Sequence, residues 1–546
     1  MLRNLSARAL AGVTGPKRIM RTCIACVLLP LCLSALVPLA GCIKVGPDFV
    51  RPQVAVSPEW RETGEGQAKS EPAEYGSWWQ AFNDPVLDRL INIAYRENLP
   101  LRIAGVRILE ARAQLGIAVG LWYPQMQQAF GYVQRTRTSA QSPQAAFASQ
   151  LTYDQSEIGL QAGWELDFWG KFRRAIEAGD ASLLATIADY DSALVSLTAD
   201  AASFYVFIRT LEKRIDIARQ NVETQRESLS LAQARFRGGV TSQRDVEQAQ
   251  TILFNTQALV PALEIQLRQA KNGLSVLLGM PPSDLSDLLD STSEIPVPPP
   301  HIAVGIPADL LRRRPDIRSA ELRAAAQSAV IGVAKAQLFP AFSLTGTFGF
   351  LASDVNNFSL GNLLQWNSRT GSGGASFAWN ILNYGQITNL VRVQDARFQE
   401  LLVAYQNAVL KGQQEVEDAL VAFTRYQTRA VFLAESTEAA RRALALVTRQ
   451  YREGVIDFTA VLIAQQALLN VQDNLADTLG NISRNLVGVY RALGGGWQIR
   501  EGQDVVPETI KTEMAKRTNW GDLLSTAAYV LPSTETRQPI IRPPDW

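Results

Sequence analysis

The sequence predicts a mainly α fold with a membrane β-barrel. Internally duplicated long-helix hairpins form an α-barrel, and four strands per chain contribute to the β-barrel. Three observations carry this reading: a repeat at a fixed offset, helical segments too long for a compact domain, and strand-like segments with one apolar face.

The repeat is read by matching short stretches. Trp164–Gly170 (WELDFWG) matches Trp379–Gly385 (WNILNYG), and Phe236–Val240 (FRGGV) matches Tyr451–Val455 (YREGV), both at an offset of 215. The same offset pairs Tyr190 with Tyr405, Val246 with Val461, Asn255 with Asn470, and Leu278-Gly279 with Leu493-Gly494. At 216, Gly116 pairs with Gly332 and Tyr123-Pro124 with Phe339-Pro340. So many matches in register describe two copies of one unit, 84–280 and 307–494. Each copy reads as a helix ending at an aromatic-Pro pair, two strands, a very long helix, a glycine break, and a second helix.

In the first long segment Leu194, Leu197, Ala201, Phe204, Ile208, Leu211, Ile215, Ala218 and Val222 alternate by three and four. That is a heptad seam. No proline interrupts residues 144–260 or 341–506. A helix of roughly 65 residues from Gly170 to Ala234 spans about 98 Å. In 158–168, Ile158, Leu160, Ala162, Trp164, Leu166 and Phe168 alternate with small or polar residues. Residues 342–350 do the same through Phe342, Leu344, Phe348 and Phe350. Segments of about ten residues with aromatics near their ends suit a membrane barrel. Trp122, Tyr123, Phe168, Trp169, Phe339 and Tyr384 stand where an interfacial girdle would lie. Four strands cannot close a barrel, and an open sheet leaves unpaired backbone groups in hydrocarbon, so several chains must pool theirs.

Composition narrows the chemistry. Cys23, Cys26, Cys32 and Cys42 are the only cysteines, and His301, in a proline-rich connector, is the only histidine. The body therefore lacks the parts of the usual zinc sites and of Cys or Ser–His nucleophilic machinery. The chain is expected to be no enzyme and to hold no cofactor and no metal. Residues 1–41 carry Arg3, Arg8, Lys17, Arg18 and Arg21 without an acid, so the rest is mildly acidic at −4. That balance excludes a nucleic-acid partner.

The basic start, the apolar run Cys23–Ala40 and small residues at its end describe a secretory signal. Leu39-Ala40-Gly41-Cys42 resembles the bacterial lipobox, and the resemblance implies that Cys42 is the acylated first residue of the mature chain and residues 1–41 a lipoprotein signal peptide; a plain cleaved signal and a retained membrane anchor are the alternatives. Two or more acyl chains anchor stably where one binds marginally.

At this point the chain resembles the outer membrane factor family, the TolC-type efflux channels, in their lipoprotein NodT/OprM-like branch. The residues are KVGPDF at Lys44–Phe49, WWQAF at Trp78–Phe82 with Asp84-Pro85 and Leu87, WELD at Trp164–Asp167 with Gly170, LLRRRPDI at Leu310–Ile317, and EVEDAL at Glu415–Leu420. The resemblance implies a homotrimer with a twelve-stranded β-barrel and an α-helical barrel crossing the periplasm. It implies an equatorial belt from the lipid-anchored segment 42–83, the connector 281–306 and the C-terminal segment 495–546, whose proline-rich end is expected to be partly disordered. It implies an outer-membrane, lipid-anchored exit duct that passively conducts drugs, solvents or other toxic small molecules, delivered by an inner-membrane pump and a periplasmic adaptor. A type I secretion outlet for peptide or protein cargo stays open, as do a lipid-tethered periplasmic coiled-coil scaffold and a carboxylate-based hydrolase.

Bland readings belong to several motifs. Pro315 and Asp316 suit a helix start. Gly238, Gly239 and Gly454 suit helix C-caps at the tips of the hairpins. Glu415, Glu417 and Asp418 suit a solvated face. The resemblance further implies a periplasmic gate beside these glycines. Asp245 and Tyr451 resemble positions that tie helix pairs together, while Ile456 replaces a basic residue and Ala460 and Ile463 replace lumen acids. Ile456, Ala460 and Ile463 share a helix face by spacing, so the constriction is expected to be largely apolar, with Asp457 and Asp245 nearby. Replacing Ile456 and Ile463 with serine is expected to raise single-channel conductance in planar bilayers. Unchanged conductance counts against an apolar gate.

Overall fold

The computed structural model describes residues 43–61, 68–69, 75–289, 294–305, 307, 313–355 and 359–525. The signal segment, Cys42, Leu310–Arg312 of the LLRRRPDI motif and the end of the C-terminal segment lie outside the described residues. The chain divides into two units. One contains 1–47, 120–175 and 329–393, and the other 48–119, 176–328 and 394–546.

The elements repeat as the sequence does. Helices α1 (Pro85–Glu97) and α2 (Leu99–Gly120) lead to β1 (Met126–Arg137) and β2 (Thr152–Leu166), then α3 (Lys171–Arg237) and α4 (Gln243–Leu277). The second copy is α5 (Pro315–Ala336), β3 (Ala341–Ser353), β4 (Arg369–Ala378), α6 (Gln386–Arg452) and α7 (Phe458–Ala492), followed by α8 (Glu508–Arg517). Both ends of α3 and α6 differ by 215, as do both ends of α4 and α7, whereas α2 and α5 differ by 216. At 67 residues, α3 and α6 are each about 100 Å long.

Helix ends obey local chemistry. The Asp84 carboxylate accepts from the backbone N–H groups of Val86 (2.9 Å) and Leu87 (3.2 Å), with Pro85 in the first turn, so α1 starts there. The strand expected over 158–168 stops at Leu166. Asp167 leaves the ladder because its carboxylate accepts from Phe172 N (3.0 Å) and Arg173 N (3.1 Å), covering orphan donors at the start of α3. At the far end of α3, Gly239 adopts φ +72°, its N–H reaches Phe236 O (2.9 Å), and Val240 N–H reaches Arg235 O (3.0 Å). Gly454 repeats the pattern with Tyr451 O (3.1 Å) and Gln450 O (2.9 Å). These are Schellman caps, and the left-handed backbone is why glycine stands there.

In the strand unit the sheet order is β1-β2-β3-β4, antiparallel throughout. The two repeats meet at the β2–β3 ladder, where Leu160 faces Phe348 and Trp164 faces Leu344. Residues ahead of the sheet are stapled to its helix-connected end. Val45 N donates to Trp169 O (3.1 Å), and Arg174 donates to Val45 O (Nε, 3.1 Å) and Gly46 O (Nη2, 3.0 Å). A Cβ on Gly46 would lie 2.4 Å from Gly332 Cα, so this close crossing admits only glycine.

In the helical unit the α3 seam is buried from Leu194 to Val222, except that Phe204 is half-buried. Helix α3 holds a window apolar enough to cross a membrane, but 72% of that window is buried inside the fold. The apolarity therefore serves packing. Against the seam pack α1, α4, α6 and α7, and Trp78 stacks on Tyr490 with centroids 5.3 Å apart. Arg314, just ahead of α5, donates to Asp316 (Nη2, 2.7 Å), to Glu415 on α6 (Nη1, 2.6 Å) and to Ala492 O at the end of α7 (Nη1, 2.9 Å). One side chain thus ties the start of α5 and the end of α7 to the middle of α6. Asp191 on α3 and Arg500 form a buried bidentate pair, 1% and 5% exposed. Burial pushes the Asp191 carboxyl above its usual range, and the Arg500 guanidinium opposes that.

Breaking a buried pair strands a charge, at a cost of about 3–5 kcal/mol, whereas replacing both partners with apolar residues costs less. Asp191→Leu and Arg500→Leu are each expected to lower the denaturation midpoint strongly, and the double variant to recover part of the loss. Tryptophan fluorescence during chemical unfolding in detergent measures this. A double variant as unstable as both losses combined would show that the pair is not coupled.

Candidate functional site

Two places carry the residues that the sequence singles out: the glycine turns joining long helices in the helical unit, and the sheet with its flanking aromatics in the strand unit.

At the turns, an apolar cluster of Ala232, Val246, Ala249, Ile252, Tyr451 and Phe458 with neighbouring residues holds the α3–α4 and α6–α7 hairpins together. Arg235, in the last turn of α3, donates from Nη1 to Tyr451 O (2.9 Å) and Arg452 O (3.1 Å). Those carbonyls belong to the last turn of α6, where oxygens lack intrahelical partners and the helix dipole is negative. A guanidinium of the first repeat therefore caps a helix of the second. Its centre also lies 4.8 Å from the Tyr451 ring, which packs on Phe458 at 5.0 Å. Burial pushes the Tyr451 hydroxyl above its usual range.

Asp245 is buried in the first turn of α4, where its carboxylate accepts from Thr241 Oγ1, from Ser242 Oγ (3.3 Å) and from Arg244 Nη2 (3.3 Å). In the second repeat the equivalents of Thr241, Ser242 and Asp245 are Ile456, Asp457 and Ala460. Asp457 is the exposed N-cap residue of α7, without a side-chain capping bond. Because α7 begins at Phe458, Ile456 precedes the helix, and the expected three-residue helix face reduces to Ala460 and Ile463. Ile456 instead packs on the apolar cluster, while Ile463 is 63% exposed. Arg235 and Thr241 were not singled out by sequence. Thr241 was reachable as the offset-215 partner of Ile456, but a capping arginine gives no motif.

The sheet has two unlike faces. One carries Ile158, Leu160, Trp164, Leu344 and Phe348, all exposed in the single chain. On β2 this face is uncharged from Ser156 to Leu166, ten rises or ~34 Å, which a strand tilted about 40° projects to ~26 Å. A membrane barrel shows an apolar band about 25 Å tall. Toward the hairpin loops the same face turns charged, with Arg135 paired to Asp154 (2.9 Å), Arg137 two residues further along β1, and Arg369 at the loop end of β4.

The six aromatics lie at the helix-connected ends of the strands. Trp122 and Tyr123 precede β1, Phe168 and Trp169 follow β2, Phe339 precedes β3, and Tyr384 follows β4. Trp169 stacks on Phe339 at 4.6 Å and donates Nε1 to Pro340 O (2.7 Å). Phe168 meets Phe342 at 4.9 Å, and Tyr384 is 96% exposed. The staple from Val45 to Trp169 sets the residues following Cys42 at this end. At the loop end Phe147 and Trp366 are exposed, with Arg369 over the Trp366 ring at 4.9 Å. Sequence reasoning passed over these two because they lie in loops outside the repeat matches. Among the described residues no group of His, Cys, Asp and Glu is placed to hold a metal.

These features agree with known proteins. The profile of the family described as "Outer membrane efflux protein" matches residues 90–280 and 306–495. The chain is 31% identical to the pyoverdine export outer membrane protein OpmQ of Pseudomonas putida, over 86% of this chain and 97% of that protein. It is 28% identical to the toluene efflux pump outer membrane protein TtgI of the same species, over 86% and 98%. Among solved structures it resembles the outer-membrane channel OprN, with a TM-score of 0.77 and 32% identity over 83% of this chain and 99% of that one. The paired repeats, the strand registers and these matches agree: the chain belongs to the outer membrane efflux protein family.

Proposed function

We propose that this protein is the outer-membrane exit duct of a tripartite efflux system for small toxic molecules, and that it conducts passively and catalyses nothing. The observation that carries the reading is the sheet: four strands with an exposed apolar band and two open edges, which only other copies of the chain can close. Three copies supply twelve strands. The homotrimer works with a periplasmic adaptor and an inner-membrane pump, as in its family. Export of toluene by a relative, and of pyoverdine by another, supports small-molecule cargo over protein cargo.

The lipid belongs on Cys42. The staple from Val45 to Trp169 is consistent with this, because it holds the residues from Val45 onward beside the aromatic end of the sheet. The six aromatics then form the inner girdle. The gate belongs at the glycine turns, with Asp245, Tyr451, Ile456, Asp457, Ala460 and Ile463 around it and Arg235 as its clasp.

Reconstitution tests the class. Purified protein is expected to show trimer mass and conductance in planar bilayers; a monomer without conductance overturns the reading. A knockout strain is expected to lose solvent resistance while retaining protein secretion, and the reverse would favour the secretion outlet. Cys42→Ser is expected to abolish palmitate labelling. At the gate, Arg235→Ala removes charge-assisted bonds worth about 1.5–3 kcal/mol each. It is expected to raise open probability, and an unchanged open probability would remove Arg235 from the gate.

A further inference from the structure

The register assigns every strand residue to one of two faces. The face opposite the apolar band lines the lumen once the barrel closes, so the following rests on the shared-barrel reading. Its residues are mostly neutral: Gln128 and Gln161 are hydrogen-bonded (2.8 Å), as are Thr347 and Ser372 (2.8 Å). Across the described residues of the four strands, this face carries two carboxylates and no cation. Glu165, near the helix end, is neutralised by Lys171 at 2.9 Å. Glu157, near the middle of β2, faces Tyr132 on one side and Leu351 on the other. Arg135, Arg137, Asp154 and Arg369 belong to the opposite face.

The position of Glu157 is built. Tyr132 Oη donates to Glu157 Oε2 at 2.7 Å, and Gln155 Nε2 donates to Tyr132 Oη at 2.8 Å. This chain fixes the carboxylate against the wall. One step along, the Phe130 ring lies over Gly159, where a Cβ would sit 3.0 Å from its Cζ, so an aromatic fills the room that glycine leaves.

We infer that Glu157, repeated three times around the lumen, is the charge filter of the duct, passing cationic and neutral cargo and holding back compact anions. The magnitudes support a filter here. Twelve strands 4.7–4.9 Å apart and tilted about 40° give a backbone radius of about 12 Å. A side chain reaching about 5 Å inward leaves each carboxylate about 7 Å from the axis. The Debye length is about 10 Å at 0.1 M salt and about 3 Å at 1 M, so the ring's field covers the lumen in dilute salt and collapses in strong salt. Rings of carboxylates select cations on this principle. The gate turns are the other place for such a ring: of the residues named there, Asp245 is buried and bonded, Ala460 and Ile463 carry no charge, and Asp457 is the one exposed acid.

The test is the reversal potential of reconstituted trimers in a KCl gradient. Wild type is expected to favour K+ over Cl− near 0.1 M and to lose most of that preference near 1 M. Glu157→Gln and Glu157→Ala are each expected to cut the permeability ratio at least twofold while conductance persists, and Glu157→Lys to invert it. Arg137→Gln, on the opposite face, is the control and is expected to change nothing. Conducting Glu157→Gln or Glu157→Ala channels with the wild-type ratio would overturn the filter. Loss of conductance in wild type itself would overturn the shared barrel instead.

Discussion

The outer strands of the sheet, β1 and β4, each leave a row of backbone N–H and C=O groups without partners in a single chain. In water such a row is tolerable; in hydrocarbon each unsatisfied group costs several kcal/mol. Closure with other copies is the remedy, and it fixes the rest. The apolar residues of the sheet must face outward to lipid, so the polar set, with Glu157, must face the lumen. The strands must start and stop together, and the helices that follow them must begin at one level. Asp167 meets that last demand by ending β2 and starting α3 within a few residues.

Duplication is the economical way to build such a chain. The helix caps show it at the level of single bonds, with Gly239-Val240 and Gly454-Val455 donating the same two hydrogen bonds 215 residues apart. Where the copies diverge, they do so in useful places. The end of α3 supplies Arg235, which caps α6, and no reciprocal guanidinium comes from Gln450 at the matching position. The hairpins are thus similar in backbone and unequal in chemistry, which lets one clasp the other.

Much of this was legible in the sequence, for physical reasons. Period two and period seven survive without any knowledge of partners, so the strands and the α3 seam could be read from Ile158–Leu166 and Leu194–Val222. Glycine breaks could be read because a left-handed residue has few substitutes. What escaped reading depends on approach in space. Arg235 reaches Tyr451 across 216 residues, and Arg500 reaches Asp191 across 309. Neither separation leaves a local trace. Ile456 was placed on a helix face because spacing cannot tell a helical residue from one just before the first turn. The role proposed for Glu157 needed the structure, since the ladder sets Glu157 against Tyr132 while Glu165 is neutralised by Lys171 from outside the ladder.

The β2–β3 ladder also dictates an order of events. Leu166 pairs with Phe342 and Gln155 with Ser353, separations of 176 and 198 residues. The helices close contacts four residues apart and form early, whereas non-local ladders form slowly. A newly exported chain therefore carries formed helices long before it carries a sheet, and the sheet's outer edges wait for other chains. Closing the sheet then needs a meeting of subunits, a step that depends on their concentration in a way that forming a helix does not.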